Sequence, residues 1–308
     1  PFNSRDTNST NYIFILNEPG KTVSTYYISI KTQGTMLFPI SLHFASQIAK
    51  RISFNVLFNG LYFGIMLVMF FFNLFIYISV RDKSYLYYCL YILSFVIFLG
   101  GYSGLAFQYL WPNNSWLANH TTSFFWILTY VFAIQFARNF LHLKENAPVF
   151  DVILKYFLYI CILFLFSEFV FSYYISVQIS NIIHSIAIAL VFIAAISAYR
   201  KQYKPAKFFL LGWSFLFLAA LILSLRNLNI IPQSFIISNF QQIGSAIEVV
   251  FLSLALADRI NIMQKEILVL NKDLENKVIE RTKDLQSAKL FNESIINNSP
   301  IAIHTIDK

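Results

Sequence analysis

Seven long apolar runs separated by short polar breaks dominate the chain between residues 56 and 257. They fall at about 56–80, 84–107, 119–141, 152–172, 177–199, 206–228 and 235–257. Each is close to the roughly 20 residues that a helix needs to cross a hydrocarbon core. The breaks are Arg81-Asp82-Lys83, Trp111-Pro112-Asn113-Asn114, His142 through Pro148, Ser172-Tyr173-Tyr174, Arg200 through Lys207, and Asn227 through Ser234. Ahead of the first run the period changes to two. Tyr26, Ile28 and Ile30 alternate with Tyr27, Ser29 and Lys31, and Gly34 marks a turn, so strands are expected over 22–45. Two or three strands cannot bury a core alone, so these residues read as the end of a larger extracellular β domain within 1–52. Beyond the last run, Ile260, Met263, Ile267, Leu270 and Leu274 step by 3, 4, 3 and 4, the seam of a coiled coil. Val278 and Leu285 continue it after a stutter at Leu274, which locally unwinds a supercoil.

The pattern predicts an all-α integral membrane protein. A seven-transmembrane helix bundle occupies 56–257, with a small N-terminal β remnant before it. A cytoplasmic coiled coil over 258–290, with Asp258 and Arg259 at the membrane boundary, is expected to join two copies as a parallel homodimer.

Composition removes the soluble alternative. Hydrophobic residues make up 57% of the chain and charged residues 12%, against roughly 25% charged in a soluble globule. Mean hydropathy is +0.60. The net charge of +8 lies entirely in residues 1–257, because 258–308 hold eight Lys/Arg and eight Asp/Glu. No basic run carries a nucleic-acid motif, so the excess is read as membrane topology and no nucleic-acid partner is expected. Cys89 and Cys161 both sit in apolar runs and offer neither a disulfide framework nor a metal cluster. A start at Pro1 without a signal sequence is taken to mean that the chain is part of something longer.

Short-loop charge then orients the bundle. Alternate loops hold Arg81 and Lys83, Arg138, Lys144 and Lys155, and Arg200, Lys201, Lys204 and Lys207; the opposing loops hold Arg226 alone. Basic loops stay in the cytoplasm. The N-terminus is therefore expected outside and the C-terminus inside.

Polar residues inside apolar runs are the functional pointers, since a centred carboxylate costs about 2.5–3.5 kcal/mol on insertion scales. Counting depth at ~1.5 Å per residue puts Asn73, Gln135, Ser214 and Glu248 at one level in the inner half. They are read as a hydrogen-bonded layer. A second set, His120, Glu168, His184 and Arg226, falls near the outer surface and is read as an outward vestibule for a small ligand. Glu168 or a backbone carbonyl is the expected partner of Arg226, with snorkelling to the interface as the alternative reading. Gly60 and Gly64 are read as close packing within the bundle rather than a dimer seam.

Several segments carry a family resemblance. Ile243-Gly244-Ser245-Ala246-Ile247-Glu248, leading into Leu252-Ser253-Leu254-Ala255-Leu256-Ala257-Asp258-Arg259-Ile260, resembles the closing signature of the bacterial seven-transmembrane receptors with diverse intracellular signalling modules. Tyr26 through Ile30 and Leu37 through Leu42 resemble the last strands of that family's extracellular jelly-roll domain. Leu274 through Thr282 is similar to the linkers that precede output domains, and Ile295 through Ile303 resembles the opening of a PAS domain, placed over 291–308. The resemblance implies a receptor in the bacterial inner membrane for a small-molecule or carbohydrate ligand from outside. Its signal would pass through the seventh helix and coiled coil to an output domain of histidine kinase or diguanylate cyclase class.

A small-solute transporter or channel is the competing class. Such proteins show paired repeats with broken helices, whereas seven runs do not divide evenly and Gly100-Gly101 is the one strong interior break. A retinal pigment would need a lysine that 235–257 lacks. No catalytic residues, metal site or cofactor are expected in the chain.

Overall fold

The computed structural model describes residues 9–16, 23–30, 40–227, 230–232 and 234–298. Among them seven helices reach 18 residues or more: α1 (Ala45–Val80), α2 (Lys83–Tyr102), α3 (Ser115–Phe140), α4 (Pro148–Leu165), α5 (Tyr173–Arg200), α6 (Ala206–Asn227) and α7 (Phe240–Asn298). Short helical turns at Leu105–Tyr109, Leu143–Asn146, Phe166–Phe169 and Phe235–Ser238 punctuate the connections. The fold is all-helical, and no strand occurs among the described residues.

That last point differs from the expectation for 22–45. Residues 23–30 have no regular secondary structure, and 31–39 lie outside the described residues, as do 1–8 and 299–308. The segment that would pair with 23–30 in the expected hairpin is thus not among the described residues. The PAS-like opening extends into the undescribed 299–308, while Ile295–Asn298 closes α7 as helix.

Five helices, α1, α2, α4, α5 and the Ala206–Leu223 part of α6, are long and apolar enough to cross a membrane. Their outward faces are apolar too: Leu61, Val68 and Phe75 on α1 and Leu163 on α4 are more than 60% exposed. Large apolar side chains presented along an outward helix face need lipid rather than water around them. The protein is a multi-pass membrane protein.

The polar breaks end helices by identifiable local chemistry. Arg81 adopts a left-handed conformation (φ 60°) and caps α1, its N–H donating to the Tyr77 carbonyl at 2.8 Å. Asp82 then caps α2, its carboxylate accepting from Ser84 N–H at 2.8 Å. His142 and Gln202 repeat the left-handed turn after α3 and α5. Pro148 starts α4, where its missing N–H costs nothing. Gly100 and Gly101 do not break α2, which continues helical to Tyr102. A Cβ on Gly101 would lie 2.9 Å from Thr122 Oγ1, so the glycine lets α2 approach α3 closely.

The chain forms two compact units, residues 1–256 and 257–308. In the first, α3 packs against α2, α4 and α5, and α5 against α6. Its core is aromatic: Phe136, Phe140, Phe209 and Trp213 stack in sequence between α3 and α6, with neighbouring ring centroids 5.2–5.9 Å apart. A Cβ on Gly244 would lie 3.0 Å from Ala219 Cβ and 3.1 Å from the Phe215 carbonyl, so α6 and α7 touch backbone to backbone there. Gly60 and Gly64 face open space, contrary to the packing role read for them.

In the second unit the residues read as a seam sit along an exposed helix. Ile267, Leu270, Leu274, Val278 and Leu285 are all more than half exposed in the single chain.

Candidate functional site

The first turns of α7 carry more buried polar groups than a lipid-facing helix tolerates, and Gln242, Ser245, Glu248 and Ser253 find partners on α1 or α2. Gln242 Nε2 donates to Asn59 Oδ1 at 3.0 Å. One turn on, Ser245 meets the Tyr62 hydroxyl at 3.0 Å and donates to the Gln242 carbonyl at 3.0 Å. Tyr91 donates to Glu248 Oε2 at 3.1 Å, and Tyr88 to the Val249 carbonyl at 2.9 Å. Asn73 donates to Ser253 Oγ at 3.0 Å and to the Met69 carbonyl at 2.8 Å, and Tyr85 closes the series on the Leu256 carbonyl at 2.7 Å.

The order of these contacts gives the helix directions. Residues 59, 62 and 73 on α1 meet 242, 245 and 253, so α1 and α7 run parallel. Residues 85, 88 and 91 meet 256, 249 and 248, so α2 runs antiparallel to both. Tyr85, Tyr88 and Tyr91 recur every three residues, which keeps three hydroxyls on one helix face. All three are buried, as are Asn73, Ser245 and Glu248. Glu248 Oε1 and Asn73 Oδ1 accept no hydrogen bond among the described residues.

The four residues read as an inner-half layer separate in the structure. Asn73 and Glu248 both belong to the ladder along α7 but hold different partners. Gln135 Oε1 accepts from Arg138 Nη1 at 3.1 Å, beside a two-armed pair in which Arg138 Nε and Nη2 reach Asp151 at 2.8 and 3.2 Å. Ser214 is exposed and donates to the Leu210 carbonyl of its own helix at 2.7 Å. The expectation fails for Ser214 because it lies about 100° round the helix from the buried Trp213.

The described members of the outer set have aromatic neighbours. His184 hydrogen-bonds Tyr130 and lies against Trp126 at 4.7 Å, inside the α3–α5 aromatic packing. His120 stacks on Trp116 at 4.6 Å. Arg226 Nη2 donates to the Tyr102 hydroxyl at 3.4 Å. The side chain of Glu168 lies outside the described residues. His120, His184 and Arg226 each hold a different described aromatic partner.

Sequence reasoning missed the tyrosines, Asn59, Gln242, Ser253 and the Arg138–Asp151 pair. The available signal was the three-residue spacing of Tyr85, Tyr88 and Tyr91, since a hydroxyl within a lipid-embedded helix needs a partner. For Asp151, the signal was an acidic residue in the first turn of α4, close in sequence to the basic end of α3.

Apolar helices set in lipid, joined inside by a buried polar ladder, define a helical membrane protein built to hold its last helix in a specified register. A family model described as 7TM diverse intracellular signalling matches residues 55–259, and the chain belongs to that family. Its transmembrane domain is sensory rather than catalytic, and the protein has a membrane receptor or sensor role. Comparisons with curated proteins and with solved structures each found no match.

Proposed function

We propose that the chain is a seven-span receptor, with its N-terminus outside the bacterial inner membrane and its C-terminus in the cytoplasm. A ligand captured on the outside biases the bundle between two packings, and α7 carries the difference to a cytoplasmic output module of histidine kinase or diguanylate cyclase class. The observation that supports this reading is that a single helix, Phe240–Asn298, holds both the buried ladder and the exposed apolar seam. A change in how α1 and α2 grip the ladder therefore acts directly on the element that bears the seam.

The parallel run of α1 and α7 supports an odd number of crossings, because two helices pointing the same way across a bilayer need an even number of reversals between them. The remaining two spans are then α3 and the Phe240-to-Leu256 part of α7, whose polar positions are covered by neighbouring helices. The exposed stripe at Ile267, Leu270 and Leu274 supports a parallel homodimer, as one face of a lone helix in water would not keep such a row uncovered. Asp258, Arg259, Ile260 and Met263 lead into that stripe. On this reading Asn73 and Glu248 set the register of α7.

The test is a helical-phase experiment. With residues 258–298 driving a reporter output module, one residue inserted after Ile267 rotates the seam by about 100° and is expected to derange basal output. Seven residues restore the heptad phase and are expected to keep output near wild type, within about twofold. Output indifferent to both insertions would refute signalling through the helix.

A further inference from the structure

A cavity of about 490 Å³ opens between the first turns of α1 and the last turns of α2. In the proposed orientation this is the outer end of the bundle. Its size lies within the roughly 300–1,000 Å³ of small-molecule sites. Residues 9–11 border it, as does the short helix Leu105–Tyr109. Gly104, at φ 78°, makes the left-handed turn from α2 into that helix, and Thr10 packs 3.6 Å from the place a Cβ on Gly104 would take. The N-terminal segment thus bears directly on the turn that shapes one wall.

The lining mixes two chemistries. Asn55, Asn59 and Gln108 supply amides, whereas Val56, Phe63 and Ile97 supply apolar surface. Chain order along the antiparallel α1 and α2 puts the amides toward the outer end and Phe63 with Ile97 deeper. No described lining residue is charged. A charged ligand buried here would lose its hydration without an ionic partner, which is expensive, whereas hydroxyl or carbonyl groups would find donors and acceptors. Gly60 keeps the cavity open, since nothing lies within 4 Å of where its Cβ would be.

One lining residue also belongs to the ladder. Asn59 Oδ1 accepts from Gln242 Nε2 at 3.0 Å, the Gln242 carbonyl accepts from Ser245, and Ser245 meets Tyr62. A head group that competes for the Asn59 amide therefore acts on the first rung of the contacts that hold α7.

We propose that this cavity is the ligand site of the receptor and takes an uncharged single-chain amphiphile. Its hydroxyl or carbonyl head meets Asn55, Asn59 and Gln108, and its chain lies along Val56, Phe63 and Ile97. The proposal rests on the receptor reading above and adds the place and chemical class of the ligand.

The experiment is photolabelling of the full chain in phosphatidylcholine nanodiscs with a diazirine analogue of a monoacylglycerol, followed by peptide mapping. Saturable labelling within 52–63 and 96–110, competed by unlabelled monoacylglycerol, is the expected result. Gly60→Phe fills the cavity and should lower labelling about tenfold, equivalent to about 1.4 kcal/mol of binding. Gly64→Phe adds the same bulk one turn away, outside the lining, and should leave labelling unchanged. Ile97→Trp fills the space from α2 and should repeat the loss if Gly60→Phe yields no folded protein. Labelling spread over the lipid-facing side of α4, equal labelling by a phosphatidylcholine diazirine, or indifference to both filling variants would overturn the site. Failure of labelling with the insertion phase intact refutes this site alone. Normal labelling with output blind to both insertions refutes the receptor reading instead.

Discussion

Glu248 receives one hydrogen bond, from Tyr91, and is fully buried. Tyr91→Phe removes that donor without opening a cavity, and is expected to cost about 0.5–2 kcal/mol of bundle stability, the range for polar contacts between membrane helices. Combining it with Glu248→Leu should be less harmful than the sum of the single changes, because the second removes the group the first leaves unsatisfied. A thermal-unfolding double-mutant cycle in nanodiscs measures this, and strict additivity would mean that the contact contributes nothing. Arg138→Lys keeps the charge opposite Asp151 but loses one arm of the pair, so about 1–2 kcal/mol should be lost, and Asp151→Asn should cost at least as much. At this scale depth was legible in the sequence and azimuth was not. The rise per residue placed Ser214 and Glu248 at one level, yet the helix of Ser214 is apolar on nearly every side, so nothing in its pattern said which face turns inward. Tyr91 stayed hidden for a related reason: an aromatic ring in an apolar run counts as hydrophobic until its hydroxyl is followed to a partner.

Among elements, the glycines separate contact faces from lipid faces. At Gly244 a Cβ would meet Ala219 and the Phe215 carbonyl at 3.0–3.1 Å, so Gly244→Ala is expected to force α6 and α7 apart and cost about 1–3 kcal/mol. At Gly60 and Gly64 the space is open, and the same substitution should be neutral or stabilise by up to about 1 kcal/mol through helix propensity. Opposite signs in unfolding midpoints would confirm the contrast; a loss at Gly64 would contradict it. The helices themselves were readable, because long apolar runs between charged or proline-containing breaks leave the backbone few other ways to satisfy itself in lipid. The alternation over Tyr26–Ile30 has no regular secondary structure among the described residues, and its expected partner over 31–39 lies outside them. The break read at Gly100-Gly101 is a close-approach device instead, and only the position of Thr122 reveals it.

For the whole molecule, single cysteines along 260–285 should crosslink two copies at Leu270 and Leu274 and not at the charged positions Lys272 or Glu275. Uniform crosslinking, or none, would count against the parallel dimer. Cys89 and Cys161 are buried and should not interfere. The ladder has a further consequence for how the protein is made. Its rungs join residues separated by 157 to 183 positions, the first two helices to the final one. During synthesis Tyr62 and the three tyrosines of α2 enter the bilayer long before their partners on α7 leave the ribosome, and wait there without them. A chain stopped short of residue 240 would keep those groups orphaned in oil. Such a product marks itself as unfinished, which gives the membrane's proteases a chemical basis for telling an incomplete copy from a completed one.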